Sequence, residues 1–324
     1  MTRAVFLGSP LWAVPCLGAL AGPAARALGV EIAGVVTQPD RPAGRGRLLR
    51  PCAVKDAALD LGVPVLSPQS LRREEAIREL AHLAPDVTIV CAYGQILTRP
   101  VLDMPRLGCW NLHFSLLPRW RGASPVQAAI LAGDSETGVS LQRMVEALDA
   151  GPLLASSPPI AIGADETAEE LGTRLAKIAA AVLAGALPAI VAGNPSVSPQ
   201  DDARATVCRK IDKRAGIVDW DRASAAEIVR RVRAFTPWPG CASYLGAARL
   251  GLVRVEPAEP PPHAAPGTVA ADGRVAAASG AVRLIDVKPE GRAVMDFAAF
   301  IRGHPEAVGA RLTAEAAGGA TQRR

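Results

Sequence analysis

The chain has 324 residues, enough for about two domains. Its 49% hydrophobic and 21% charged residues describe a globular protein and exclude a disordered one. The net charge of +5 is only mildly basic, so it permits an acidic partner such as nucleic acid without requiring one. Six cysteines stand at positions 16, 52, 91, 109, 208 and 241 with no CxxC or zinc-like spacing. That scatter points to free thiols in a reducing compartment, with no metal site built from cysteine and histidine. Arg3 and the small apolar run behind it have some look of a secretion signal, but Gly8, Pro10 and Pro15 punctuate the run early. No later segment reaches the roughly 20 unbroken apolar residues that a membrane helix needs. The expectation is a cytoplasmic protein with no membrane partner.

Short apolar runs alternate with helical patterns through the first half. Ala4–Leu7, Glu31–Thr37, Val63–Leu66, Val87–Cys91 and Cys109–His113 read as strands, while Ala13–Leu28, Cys52–Leu61 and Leu71–Leu83 read as helices. Alternation of this kind predicts an α/β, Rossmann-like, mostly parallel sheet with helices on both faces. Ligands of such sheets bind at the carboxyl ends of the strands, near the switch point, where Gly8-Ser-Pro and His113–Pro118 both fall. Residues 137–143 and 153–162 suggest two further strands, and Glu166–Leu187 a long Ala-rich helix opened by Asp165-Glu-Thr. Residues 192–206 have linker composition. Beyond them, short runs at Ala242–Leu245, Arg249–Val255, Thr268–Ala270, Arg274–Ala277 and Val282–Val287 predict a small OB-like β-barrel over 207–314. A Pro-rich surface loop, Glu256–Pro266, interrupts it, and residues 315–324 read as a flexible tail. The boundaries so drawn are a catalytic domain over 1–191, a linker and the barrel domain. No broad apolar surface is legible, which makes a monomer the default.

The run from Gly108 to Gly122 carries the chemistry. In a strand, side chains alternate between faces, so Cys109, Asn111, His113 and Ser115 share one face and Trp110, Leu112, Phe114 and Leu116 the other. The second face is core. Burying the polar groups of the first without partners would cost roughly 1–3 kcal/mol each, so this row fits the lining of a cleft. Asn111 and His113 could address one reacting carbonyl, and Asp149, in the turn Leu148-Asp149-Ala-Gly, could bring a carboxylate to the same point. An amide and an imidazole can stabilise an oxyanion, and an Asp beside the His can hold its tautomer and receive a proton. Ser115 lacks a G-x-S-x-G setting and Cys109 lies one strand step deeper, so direct attack by a substrate amine fits better than a covalent enzyme intermediate. A lone strand His is more often a packed one, and an Asp before Gly is usually a turn; the combination is narrower than either.

Two basic clusters stand apart. The loop Gln38–Arg50 holds Arg41, Arg45, Arg47 and Arg50 among Pro and Gly. Taken plainly it is a solvated connection, but structureless loops of about a dozen residues are usually functional, and four arginines can bind phosphates. Arg209, Lys210, Lys213 and Arg214, then Arg230, Arg231 and Arg233, form the second cluster, which is either a charged helix face or a contact for backbone phosphates. Trp220 and Trp238 read as packing residues.

Asn-Leu-His-Phe-Ser-Leu-Leu-Pro-Arg-Trp-Arg-Gly-Ala-Ser-Pro from Asn111, then Thr137-Gly-Val, Met144 and Leu148-Asp149-Ala-Gly, resembles the formyltetrahydrofolate-dependent formyltransferases. Gly8-Ser-Pro, Thr37-Gln-Pro-Asp-Arg-Pro-Ala-Gly-Arg-Gly46, Ala92–Leu97 and Phe235-Thr-Pro-Trp-Pro239 occur in that family's order. The resemblance covers nearly the whole chain and is closest to the branch acting on methionyl initiator tRNA. It implies transfer of a formyl group from 10-formyltetrahydrofolate to that tRNA's methionine α-amino group, without a metal. Asn111, His113 and Asp149 would be the catalytic trio. Ser115, Leu116, Leu117 and Pro118, with Ala92, Tyr93, Gly94, Gln95, Ile96 and Leu97, would border the folate pocket. The arginine loop would enter the tRNA acceptor end, with Arg45 the key arginine beside Arg41 and Arg47, and Lys210 would touch the tRNA from the barrel. Three positions depart from the pattern: Ser9 for the usual Thr, Phe114 for a small residue, and Val207 for a Tyr. An amino-sugar or purine-precursor formyltransferase would share the trio, a catalytically silent RNA-binding module would share the fold, and a folate deformylase would use water as acceptor.

Overall fold

The computed structural model describes residues 1–43 and 48–317. It divides into two compact units. The first comprises Met1–Pro125, Glu136–Ala161 and Gly172–Arg209; the second comprises Val126–Ser135, Ile162–Leu171 and the chain from Lys210 onward. The segment of linker composition, 192–206, is thereby grouped with the first unit.

In the first unit, β1 (Thr2–Gly8) leads through α1 (Val14–Ala21) and α2 (Pro23–Ala27) to β2 (Val30–Val36). The single helix expected over Ala13–Leu28 is split because Gly22 is extended and Pro23, with no N–H to donate, starts the second piece. Then come β3 (Arg41–Ala43), β4 (Leu48–Arg50), α3 (Ala53–Asp60), β5 (Val65–Leu66) and α4 (Glu74–His82). Next are β6 (Val87–Cys91), α5 (Arg99–Leu102), β7 (Cys109–His113) and β8 (Arg121–Gly122), followed in the chain by α6 (Pro125–Ala132), which from Val126 onward belongs to the second unit. The two strands expected over 137–143 and 153–162 are each broken in two. They form β9 (Glu136–Thr137), β10 (Ser140–Arg143), β11 (Leu153–Ser156) and β12 (Ile160–Ala161). The helix α7 (Ala168–Val191) and the short β13 (Val207–Cys208) follow.

The main sheet has the order β11-β10-β7-β6-β1-β2-β5. Strands β5, β2, β1, β6 and β7 are parallel, and β10 is antiparallel to both of its neighbours. Ala4, Val5, Phe6 and Leu7 of β1 are fully buried, as strands covered on both faces should be. On α4, Ala76 and Leu80 point inward four residues apart while Glu74, Glu75, Arg78 and Glu79 face water. The sheet reverses its direction of growth between β1 and β6, which opens the crevice at the strand carboxyl ends.

Helix α7 is opened by a capping box: the Thr167 backbone N–H donates to Glu170, and the Glu170 N–H to the Thr167 hydroxyl. By length and composition alone this helix could cross a membrane, which no single unbroken run of the sequence suggested. Leu171, Leu175, Ala179, Leu183 and Leu187 are nevertheless buried at four-residue spacing, the stripe of a core helix.

The second unit contains α8 (Ala225–Ala234), β14 (Cys241–Leu245), β15 (Ala248–Ala258), β16 (Arg274–Ala276), β17 (Ala281–Pro289), β18 (Met295–Asp296), α9 (Phe297–Gly303) and β19 (Leu312–Thr313). The strands form an antiparallel sheet in the order β16-β17-β15-β14-β19, with β18 against β17. Register breaks between Leu252 and Val255 of β15 are bulges, which bend a strand and raise its twist, so the sheet curls in the manner of a partial barrel. Two expectations change here. Thr268–Ala270 forms only single bridges, Thr268 with Arg311 and Val269 with Val275, and the Pro-rich loop begins late because Glu256, Pro257 and Ala258 still pair with β17. Of the expected tail, Ala317 N–H donates to the Gly246 carbonyl, and 318–324 lie outside the described residues.

Trp220 is buried as expected, and its indole N–H donates to the Ser243 hydroxyl at 2.7 Å. Trp238, expected to pack, is instead 49% exposed. Ser243→Ala should leave the indole N–H unpaired in the core and destabilise the second unit by about 1–3 kcal/mol. Urea unfolding followed by tryptophan fluorescence reads the change, and an unaltered midpoint would refute it.

Candidate active site

Strands β7 and β10 pair with His113 opposite Ser140 and Asn111 opposite Gln142. Directly opposed residues share a sheet face, so the polar row read on β7 continues onto β10. Ser140 braces the chain beyond β7: its hydroxyl donates to the Ser115 carbonyl at 2.8 Å and accepts from the Leu117 N–H at 3.0 Å. Ser115 is 1% exposed, and its hydroxyl donates to the Arg119 carbonyl at 2.6 Å, so the side chain holds a turn.

Asp149 reaches the same face from the loop after β10. Its backbone is left-handed at φ +48°, and Gly151 behind it admits no side chain, since a Cβ there would lie 1.7 Å from the Arg143 carbonyl oxygen. Asp149 Oδ2 accepts from the Gly122 N–H at 2.9 Å. Oδ1 accepts from Gln142 Nε2 at 2.7 Å and from Asn111 Nδ2 at 3.3 Å. His113 Nδ1 lies 3.7 Å from Asp149 Oδ2, both side chains being largely buried. The trio named from the sequence therefore converges.

His113 Nε2 is 2.8 Å from the Trp120 carbonyl oxygen, which can only accept, so Nε2 carries the proton. The tautomer is set by this backbone carbonyl rather than by Asp149. Trp120 itself sits at φ +61°; its N–H donates to the Thr206 hydroxyl at 2.9 Å, and β13 pairs in parallel with β8 immediately beyond. Gly122, at φ +117°, passes so close that a Cβ would meet the Cys208 carbonyl oxygen at 2.2 Å. Burial raises the Cys208 thiol above its ordinary range and pushes Cys109 up to about 12, so neither is poised as a nucleophile.

The loop after β6 is anchored by side chains. Gln38 Nε2 donates to the Tyr93 carbonyl, the Gln38 N–H donates to the Ser9 hydroxyl, and Gln95 bridges the Leu71 N–H and the Pro68 carbonyl. Ala92, Gly94 and Ile96 are exposed there, whereas Tyr93 and Leu97 are buried in the core with Val5, Leu7 and Val90. The buried Tyr93 hydroxyl has no partner among the described residues, and burial raises its proton affinity. Leu116 and Pro118 are half-buried and Leu117 is buried. Phe114 is buried and stacks on Trp12 with ring centroids 6.2 Å apart, and Val207 is 67% exposed.

The arginine loop is not structureless: β3 and β4 form an antiparallel hairpin pairing Arg41 with Arg50. Arg41 is exposed and donates to Gln38 Oε1 at 3.1 Å, while Arg45 and Arg47 lie outside the described residues. In the second unit Lys210, Lys213 and Arg214 are exposed. Arg230 donates to the Leu131 carbonyl, and Arg233 to the Glu166 and Gly163 carbonyls. The second basic cluster thus separates into exposed cations and structural anchors.

Residues 2–187 match the model of the formyl transferase family, and 210–305 match that of the formyl transferase C-terminal domain. Methionyl-tRNA formyltransferase of Methylococcus capsulatus is 44% identical over 93% of this chain and 97% of its own length. That of Acidiphilium cryptum is 46% identical over 96% and 99%. The chain belongs to the methionyl-tRNA formyltransferase family. Among solved structures, an N-formyltransferase from Helicobacter canadensis in complex with folinic acid and dTDP-3-aminofucose shares the fold of this formyltransferase. It has a TM-score of 0.63 at 14% identity, covering 87% of this chain and 98% of that one. HypX from Aquifex aeolicus in complex with tetrahydrofolic acid has a TM-score of 0.60 at 17% identity, covering 94% and 48%.

Residues missed in the sequence include Ser140 and Gln142, although Ser140-Leu141-Gln142 carries the same polar–apolar alternation as β7. Gln200 and Thr206 gave no signal inside a stretch of linker composition. In this formyltransferase Gly151→Ala should force the Asp149 loop off the Arg143 carbonyl, at a cost of about 1–3 kcal/mol of stability. Thermal unfolding measures it, and an unchanged Tm would show that the loop closes differently.

Proposed function

We propose that this enzyme transfers the formyl group of 10-formyltetrahydrofolate to the α-amino group of methionyl initiator tRNA. The convergence of Asn111, His113 and Asp149 at the strand carboxyl ends carries the proposal, supported by membership of the family. The methionine nitrogen attacks the formyl carbon, giving a tetrahedral oxyanion. Asn111 Nδ2 has two N–H bonds; one is directed at Asp149, and the other can donate to the oxyanion. His113 Nδ1 and Asp149 Oδ2 face each other across 3.7 Å, a place where a proton can be held between them. The pair takes the amine proton, and the imidazolium so formed lies beside the oxyanion while Asp149 balances its charge. Collapse breaks the bond from the formyl carbon to the folate nitrogen, which leaves with a proton.

Ala92, Gly94 and Ile96, with Gln95 behind them, and Leu116 to Pro118 supply the surface proposed for the folate, while Ser115, Tyr93 and Leu97 support it from within. Arg41, with Arg45 and Arg47 by family resemblance, and Lys210 are proposed to engage the tRNA. The residues proposed for catalysis work without a metal, as general acid–base and hydrogen-bonding groups.

Supplied with 10-formyltetrahydrofolate and either methionyl initiator tRNA, free methionine, an amino sugar or water, the enzyme should formylate the tRNA alone. Transfer to the sugar alone would sink the assignment. His113→Ala should lower turnover by at least about a hundredfold while leaving the chain folded by circular dichroism; near-normal turnover would remove His113 from the mechanism. Binding of the tRNA, titrated by filter retention, should weaken steeply between about 50 and 200 mM salt if several phosphates are neutralised. A flat response would confine recognition to the methionyl end.

A further inference from the structure

Asp149 is held by three donors, and one of them belongs to neither the trio nor the loop backbone. Gln142 is 1% exposed on β10, directly opposite Asn111. Its Nε2 gives Asp149 Oδ1 the shorter of that oxygen's two side-chain bonds, 2.7 Å against 3.3 Å from Asn111. A carboxylate oxygen only accepts, so the amide must turn its NH2 toward Asp149 and its oxygen away. That oxygen faces Gln200 Nε2 at 3.4 Å, which also donates to the backbone carbonyls of Asp149 at 2.9 Å and Gly151 at 2.7 Å. Gln200 is oriented in turn by Arg121 Nε, 3.0 Å from its Oε1, and Arg121 is fixed to Asp202 at 2.7 Å. A single chain of donors therefore runs from Arg121 through Gln200 and Gln142 to the carboxylate facing His113.

We propose that Gln142 is a positioning residue that holds Asp149 against His113, so that it sets the rate of the chemical step and leaves substrate binding alone. The inference rests on the role of Asp149 proposed above. The pairing of β10 with β7 is made by main-chain groups, so it does not itself call for an amide side chain at position 142. What it supplies is a donor aimed at Oδ1. Without it Asn111 would be the remaining side-chain donor to that oxygen, and Asn111 would be drawn from the oxyanion toward the acid.

The test is a double-mutant cycle with Asp149→Asn, measuring kcat and the KM of both substrates together with Tm. Loss of a bond to a charged group predicts that Gln142→Met lowers kcat by about tenfold to a hundredfold, with each KM within about twofold. Gln142→Glu, equally polar but opposing a carboxylate to a carboxylate, should be worse than Gln142→Met. If Gln142 acts through Asp149, then in the Asp149→Asn background either substitution changes kcat by less than about twofold. Multiplying effects, or a ranking with Gln142→Glu above Gln142→Met, would overturn the proposal and assign Gln142 a general structural role. Should Gln142→Met fail to fold, the Gln142→Glu arm runs the same cycle. If Asp149→Asn itself keeps full turnover, the proposed mechanism falls instead, which separates the two failures.

Discussion

The carboxylate of Asp149 is where the first unit's local structure converges. A largely buried anion needs compensating donors, since desolvation would otherwise penalise it by several kcal/mol. Here the donors come from three separate segments: the Gly122 backbone beyond β7, the Asn111 amide on β7 and the Gln142 amide on β10. Each imposes a requirement on its own segment. Gly122 must lack a side chain, β7 and β10 must pair in the observed register, and the loop must turn at Gly151 to bring the acid back over the sheet. The unusual backbone in this region, with Trp120, Gly122 and Asp149 all at positive φ, follows from aiming polar groups at one point.

Much of this was legible in the chain. Period-two alternation marked Asn111 and His113 on one face, and the wrong chemistry for a core marked that face as a site. The parallel sheet could be read because its buried strands are continuous apolar runs, as in Ala4–Leu7 and Val87–Cys91. Less legible was anything that depends on long-range pairing. Gln142 looks like an ordinary polar strand residue until β10 is known to lie beside β7. Gln200 and Thr206, 49 residues or more from the groups they brace, sit in a stretch whose Ser, Pro and Asp content signals only a connection. The curled sheet of the second unit was foreseen as a type, but its shortest members escaped: β18 and β19 have two residues each, too few to show any period.

The basic residues illustrate a different limit. Counting arginines treats a cluster as one surface, whereas the guanidinium is also the side chain best suited to hold backbone carbonyls in place. Arg230 and Arg233 do that, and desolvation lowers the proton affinity of Arg233. Lys213 and Arg214 stay in water on a short turn capped by Asp212. The residues available to a polyanion are thus the ones that the local fold leaves unused, which no charge pattern reveals. On the hairpin, likewise, Arg41 and Arg50 are cross-strand partners carrying like charges, and such pairs are unfavourable in isolation.

The Trp120 carbonyl links these themes. Because this carbonyl accepts from Nε2, the ring of His113 turns its other nitrogen, Nδ1, toward the Asp149 carboxylate at 3.7 Å. The backbone turn at Trp120 therefore does more than shape the loop: by engaging Nε2 it orients the ring with Nδ1 toward Asp149. The chain segment that holds this turn, Thr206 to Cys208, lies two residues before Lys210, where the chain passes for the last time into the second unit. The orientation of the His113 ring thus depends on a carbonyl whose own position is tied to the segment Thr206 to Cys208.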